Sequence, residues 1–334
     1  MNQSSSQPLD GVEQGSRDTL GGADTQVVEL LQSIKKNGKF RKRDLESQFP
    51  GEIIFEFPKD MTVGKLTYSS APWIFDGDAA LHARTELARL PEPFLCRGQL
   101  SVEKGLPLQF TMMQPVPNLG ILSGFEGEDL SELILNRCDL SQPVSMDDLI
   151  KLKSLKSIDF RFCDLSDASL LRLNEMPKLK ALDLADNPCT NQTIESLNCL
   201  KRLQKLRISA DAFTDDLLKK LQGIDKIKSL HVHGVLSLDG LKLIAQTKSL
   251  KSLTLEVAVI TPELLKILKE AKSLEKVEME ECITGTNNLE DFALLSHLHQ
   301  LKMVRPVGID SKSLAKIQKL MPATRVSLVS ISEN

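Results

Sequence analysis

The chain has 334 residues, of which 41% are hydrophobic and 26% charged, with a net charge of −3. That is the balance of a globular protein long enough to bury a large core, and near-neutrality argues against broad attraction to nucleic acid or anionic membrane. Aromatic residues make up 4%, with one tryptophan (Trp73) and one tyrosine (Tyr68), too few rings for reading bases by stacking.

Residues 1–24 are rich in Ser, Gly, Gln and Asp. They carry too little apolar surface to offset the entropy of ordering, which predicts a disordered tail. They also lack the basic start and apolar run of a secretory signal, and no stretch reaches the 18 apolar residues of a membrane span. A cytoplasmic protein is expected. Residues 25–49 follow as a short helix and a basic linker. Val27, Val28, Leu30, Leu31 and Ile34 recur at helical spacing, and Lys35, Lys36, Lys39, Arg41, Lys42 and Arg43 read as a solvated connection.

Residues 50–118 read as a small β-rich domain. Runs at 52–57, 63–69, 94–102, 106–113 and, just beyond, 119–125 are rich in β-formers and are punctuated by Gly51, Pro58 and Gly105, while 79–90 is more helical.

From residue 119 to the end the chain is periodic. The phrase L-x-x-L-x-L, with apolar substitutions, begins at Leu130, Leu155, Leu179, Leu203, Ile227, Leu250, Leu274 and Leu298, and a partial copy holds Val326 and Leu328. Successive copies start 23 to 25 residues apart. Within a copy, Ile158 and Phe160 alternate with Asp159 and Arg161, the period of a strand. The following Leu170, Leu171 and Leu173 have helical spacing. Ser166, Thr190, Thr214 and Thr261 fall where a helix N-cap belongs, and Pro262 follows where a first helical turn tolerates it. One strand, one turn and one helix cannot bury their apolar stripe alone, but stacked copies can. The result expected is an α/β solenoid with a parallel sheet lining its concave side and helices its convex side. Because the copy at Ile227 is one residue short, irregular turns are expected around residues 233–260.

These repeats resemble the leucine-rich-repeat family, in particular its bacterial-type 24-residue repeats. The resemblance is carried by Thr214-Asp215-Asp216-Leu217-Leu218 and Ser166-Asp167-Ala168-Ser169-Leu170, and covers residues 119–330. Segments 57–66 and 97–102 resemble the small β domain that precedes such repeats in some bacterial proteins. The resemblance implies a right-handed solenoid. It also implies a ladder position after each strand, held here by Cys138, Cys163, Asn187, Asp211, Val235, Ala258, Cys282 and Pro306. Asn and Cys at such a position can bond backbone groups in the turn; Val235, Ala258 and Pro306 depart from the pattern. The six cysteines (Cys96, Cys138, Cys163, Cys189, Cys199 and Cys282) form no C-x-x-C pair, and packing roles are expected rather than disulfides or metal ligation.

No phosphate-binding loop, H-E-x-x-H, G-x-S-x-G or kinase signature is present, and no catalytic residue, cofactor or metal is assigned. The function expected is a non-enzymatic module that binds a protein of unknown identity on the concave face. The strand register nominates Arg137, Asp159, Arg161, Phe162, Asp183, Arg207, His231, His233, Glu256, Glu278, Glu280 and Lys302 as exposed contact positions, with Ile134, Asn136, Asp186 and Arg305 beside them. Glu256, Glu278, Glu280 and Glu281 form an acidic cluster suited to steered association. His231 and His233 with a carboxylate from Glu256, Glu278 or Glu280 have donor types that bind divalent metals, but a solvated polar face is the preferred reading. His297 and His299 read as turn residues. The alternative is an effector or ubiquitin-ligase-type enzyme using Cys96, with His82 the nearest histidine. Neither nucleic acid nor membrane is expected as a partner, and the last strand, near 325–330, is an edge open to weak pairing with a second copy.

Overall fold

A computed structural model describes residues 52–57, 59, 62–68, 94–103, 105–113, 119–135, 137–191, 196–210, 215–285 and 288–329. The expected tail, the helix at 25–36, the basic linker and the helical stretch at 79–90 lie outside these residues.

The first strands are β1 (Glu52–Glu56), β2 (Gly64–Tyr68), β3 (Phe94–Leu95), β4 (Gln99–Glu103) and β5 (Leu108–Met112). β1 and β4 form an antiparallel pair of their own. β5 pairs antiparallel with β2, and β2 with β3. The run expected as one strand over 94–102 is split, because the chain turns at Gly98 with φ of 66°. The run at 119–125 is not a strand: Leu119–Gly124 is a 3₁₀ turn whose Leu119, Ile121 and Leu122 point inward.

The repeats supply β6 (Leu130–Ile134), β7 (Ser157–Asp159), β8 (Ala181–Asp183), β9 (Lys205–Ser209), β10 (Ser229–His233), β11 (Ser252–Glu256), the short β12 (Val259–Ile260), β13 (Lys276–Glu280), the short β14 (Ile283–Thr284), β15 (Gln300–Val304) and β16 (Arg325–Val329). β6 to β11, β13, β15 and β16 stand side by side, all parallel, and β5 joins β6 in parallel as well. The repeat sheet and β5, β2 and β3 are therefore one sheet of twelve strands among the described residues.

The three apolar positions of L-x-x-L-x-L are at most 2% exposed in all eight copies. Just before the strands, one backbone bond recurs from coil to coil. Lys180 N–H donates to Lys156 C=O, Gln204 to Lys180, Lys228 to Gln204, Lys251 to Lys228, Glu275 to Lys251 and His299 to Glu275, each at 2.7–2.8 Å. The chain is thus a leucine-rich-repeat-like α/β solenoid, with every coil locked to the next by the same main-chain contact.

The other side of the sheet carries α1 (Asp167–Leu171), α2 (Asp215–Gln222), α3 (Leu238–Ala245), α4 (Pro262–Glu270) and α5 (Ser311–Leu320). Ser166 and Thr261 act as the expected N-caps, accepting from Ser169 N–H and Leu264 N–H. Ser237 and Asp310 cap α3 and α5 in the same way. Thr190 N–H and hydroxyl both donate to Asp167, each at 2.7 Å, and residues 192–195, which a cap at Thr190 would serve, lie outside the described residues. Thr214 lies outside the described residues. Among the described residues, the expectation of one α-helix per coil fails after β6, β8 and β13, where 3₁₀ turns stand instead. A 3₁₀ turn rises about 2.0 Å per residue against about 1.5 Å for an α-helix, so fewer residues span the same chord.

At the first-coil end, Phe55 and Phe57 of the β1 arm meet Phe125 with ring centroids 5.3 and 6.3 Å away, and Phe110 of β5 lies 5.2 Å from Phe125. All four rings are buried. They cover the apolar interior that the first coil would otherwise leave open, the role a terminal repeat must fill.

The ladder position is realised by Asn187. Its Oδ1 accepts from Cys163 N–H and Leu165 N–H at 3.1 and 3.0 Å, and its Nδ2 donates to Phe160, Leu184 and Ala185 carbonyls. Cys138, Cys163 and Cys282 are buried and form no disulfide, and Cys282 Sγ donates to Leu255 C=O at 3.2 Å. Asp211 lies outside the described residues. Val235 is not a ladder residue: it is 67% exposed. Four residues separate β10 from α3, whereas five separate β11 from α4. The residue deleted from this coil is the ladder residue itself, and Val235 aligns with the exposed Val259. A cavity of about 170 Å³ lined by Gly234, Val235, Leu236, Leu255 and Ala258, among others, sits beside the missing side chain. The register of β10 on β11 is unbroken, so the irregularity expected at 233–260 is confined to this turn.

The residue that follows the strand segment is left-handed in most coils: Arg137, Phe162, Asp186, Gly234, Val257, Glu281 and Arg305 have φ between 48° and 97°. Gly234 takes that conformation freely, but the β-branched Val257, at φ 59°, does not. A left-handed non-glycine costs about 1–2 kcal/mol, partly offset by the entropy glycine loses on folding. Val257→Gly is therefore expected to stabilise the chain by about 0.5–1 kcal/mol in urea unfolding. A lower unfolding midpoint would place the strain elsewhere.

Candidate functional site

Strand pleating sends alternate side chains to the face of the sheet opposite the helices, and parallel pairing sets equivalent positions of neighbouring coils about 4.8 Å apart. One row across that face is Ile134, Asp159, Asp183, Arg207, His231, Thr254, Glu278 and Lys302. The next row along the strands carries Ser209, His233, Glu256 and Glu280.

The nominated residues are brought together, but not as the exposed set expected. Asp159 is 1% exposed, Asp183 0% and His231 8%. The cause is the long side chains beside them. Arg161 forks onto its own strand's Asp159, with Nη2 to Oδ2 at 2.8 Å and Nε to Oδ1 at 3.2 Å, and its Nε also lies 3.3 Å from Asp183. Arg207 Nη1 is 3.8 Å from Asp183 on the other side. Two carboxylates one coil apart are thus roofed by two guanidiniums. Burial and the nearby Asp159 charge push the Asp183 carboxyl well above the ordinary aspartate range, although both arginines oppose the shift.

Glu256 is the hub of the later coils. Its Oε2 accepts from Arg207 Nη2 at 2.6 Å and from His231 Nε2 at 2.8 Å, while Oε1 lies 3.5 Å from His233 Nδ1. A carboxylate only accepts, so His231 carries its proton on Nε2 in this contact. The His231 bond, with help from Arg207, holds the Glu256 carboxyl down at about 2. Burial lowers the His231 pKa, so this imidazole is neutral near neutral pH. Glu280 moves the other way: burial first, then the charge of Glu256, raises it.

The acidic cluster is largely paired. Glu256 faces Arg207, Glu278 faces Lys302 at 2.8 Å, and Arg305 bridges Glu280 at 3.0 Å and Glu281 at 2.5 Å. What remains free on the face is at its edges. Phe162 is 56% exposed on a left-handed backbone, and Arg137 is exposed. Ile134 and Asp186 are half-buried, and Asn136 lies outside the described residues.

Sequence reasoning missed a second surface. The first exposed position after the ladder residue is Asp139 and Asp164 in early coils but Val235, Val259, Ile283 and Val307 in later ones, at 67%, 39%, 50% and 57% exposure. Each is 24 residues from the next, and Val259, Ile283 and Val307 are joined by parallel backbone pairing. The signal was present as an apolar 24-residue periodicity outside the L-x-x-L-x-L phrase.

Cys96 offers no nucleophile: it is fully buried, and desolvation pushes its thiol up to about 12. His82 lies outside the described residues. Among the described residues no helix is long and apolar enough to cross a membrane.

The depressed Glu256 gives a signed pH dependence. Its contribution is complete above the ordinary glutamate value of 4.5 and is lost as the pH falls toward 2. The stability of the native chain relative to Glu256→Gln, measured by urea unfolding at a series of pH values, should therefore shrink across that window. A difference that stays constant would mean that the hub does not act through its charge.

No protein-family model matches the chain, and no curated protein matches it. Among solved structures, an internalin (inlF) from Listeria monocytogenes str. 4b F2365 is similar over 64% of this chain and 71% of that one, with 16% identity and a TM-score of 0.35. At that level nothing is carried from that protein to this one.

Proposed function

We propose that this chain is a non-enzymatic protein-interaction module that receives its partner on the strand face of the solenoid, with Phe162 as the apolar anchor and Arg161 beside it. The observation that carries this reading is Phe162 itself. A large ring stands 56% exposed on a backbone at φ 58°, a conformation that costs stability. Burial of such a ring in a partner's pocket is how interface anchors contribute most of their energy. The paired charges around it are held by one another, so little side-chain entropy remains to be lost on association. The contact surface comprises Arg137, Arg161, Phe162, Arg207, His233, Glu256, Glu278, Glu280 and Lys302, with the buried Asp159, Asp183 and His231 supporting them from beneath. The partner is a protein, and the concave curvature expected of the repeat favours a convex one.

A second reading rests on the Val235, Val259, Ile283 and Val307 row. Four exposed apolar side chains at one period form a continuous strip, and such patches mark interaction surfaces.

Affinity capture from the native source separates the two. Phe162→Ser and Lys302→Glu should both lose the same partner, by about tenfold or more in affinity, while Ile283→Asp retains it. Loss with Ile283→Asp alone assigns binding to the strip. Retention by all three variants overturns both surfaces.

A further inference from the structure

The carboxylates and imidazoles of the later coils converge more closely than partner binding alone requires. In the register of β10, β11 and β13, His233, Glu256 and Glu280 lie side by side, with His231 two residues before His233 on the same face. One ligand atom each of His231, Glu256 and Glu280 fall within 4.8 Å of one another. His233 Nδ1 is 3.5 Å from Glu256 Oε1.

Beside Glu256, the buried His233 Nδ1 lacks a hydrogen-bond partner. Buried polar atoms are almost always satisfied, so this ring nitrogen is placed to take a ligand.

We propose that His231, His233, Glu256 and Glu280 bind a divalent transition ion of the zinc class on the strand face. The donor set selects the ion. Imidazole nitrogen with carboxylate oxygen suits zinc, whereas magnesium and calcium take oxygen ligands. Ligands about 2.0–2.2 Å from zinc stand about 3.4 Å apart in a tetrahedral site, so the spacing of His231, Glu256 and Glu280 closes with a movement of roughly 1 Å. Glu280 can supply that movement, because its side chain is 24% exposed.

The ion also gives His233 Nδ1 a partner and competes with Arg207 for Glu256 Oε2, and His231 ligates through Nε2 in the tautomer protonated on Nδ1. The released guanidinium has an acceptor at hand, since Asp183 Oδ2 lies 3.8 Å from its Nη1 and accepts no hydrogen bond. Ion binding therefore tightens the Asp183–Arg207 pair one strand away. The repulsion between Glu256 and Glu280 is relieved by the same charge.

Calorimetric titration of the chelator-stripped full chain with zinc chloride tests this. One ion per chain is expected, at about micromolar affinity, with a rise in Tm. Magnesium chloride at millimolar concentration should give no heat and no shift. Glu280→Gln, nearly isosteric and partly exposed, should weaken zinc more than about tenfold while leaving the metal-free Tm close to that of the native chain. His231→Ala should do the same to binding, and His299→Ala should do nothing. Cobalt(II) should give visible d–d absorption in the native chain that Glu280→Gln loses. The absence of 1:1 zinc binding, or binding that survives both Glu280→Gln and His231→Ala, overturns the site.

Discussion

Coil-on-coil register governs this molecule. Parallel pairing sets each residue about 4.8 Å from its equivalent in the next coil, so a side chain chosen for one coil becomes a member of a row. Inside, the rows of Leu, Ile, Val, Phe and Met are buried through all eight copies of the phrase, and only on the last strand are Val326 and Leu328 half-buried. On the strand face the rule is harsher. Two like charges at the same position of adjacent coils must face each other, and Asp159 and Asp183 do so. The structure answers with Arg161 and Arg207, which reach over both carboxylates. Removing either arginine would leave buried charge without compensation, a larger cost than the pair's own net stabilisation.

The same constraint explains why the strand face is ordered without being uniformly accessible. Long basic side chains lie flat across the sheet because their acceptors sit on neighbouring strands, and in doing so they bury the shorter acids. Exposed ion pairs elsewhere, such as Lys151–Asp148 and Lys242–Asp239, join residues three apart and contribute little. Apart from Arg161–Asp159, those on the strand face join different coils, so they help to hold one coil against the next. Glu256, which gathers groups from β9 and β10, is the most connected of them.

The solenoid was legible because its signal is redundant. Eight copies of one phrase at one period cannot be satisfied by any arrangement except stacking, and each buried apolar position repeats the evidence. What was not legible depends on distances between coils. Alternation assigned Asp159, Asp183 and His231 to the strand face correctly, but it could not show that neighbouring side chains would cover them. Arg207 reaches Glu256 across two strands, and that diagonal follows from the registers of β9 on β10 and β10 on β11, which no single copy of the phrase contains. The fusion of β5, β2 and β3 with the repeat sheet was hidden for a related reason, since antiparallel strands carry no copy of the repeat phrase. The 3₁₀ turn at Leu119–Gly124 was read as a strand because a short apolar run fits either.

The one-residue deletion after β10 shows how the fold separates its two surfaces. A residue removed from within a strand would have flipped every later side chain to the other face. Removed from the turn, it leaves the sheet in register and costs only the ladder side chain, whose place is marked by the cavity beside Ala258. From that coil onward the exposed turn position is apolar, where earlier coils hold Asp139 and Asp164. The rows on the strand face must balance charge between neighbours, whereas the turn positions carry no such requirement. That freedom allows a strip of Val and Ile to run along the rim without disturbing the ionic network, and a chain built from one repeated unit can thereby present two chemically different surfaces.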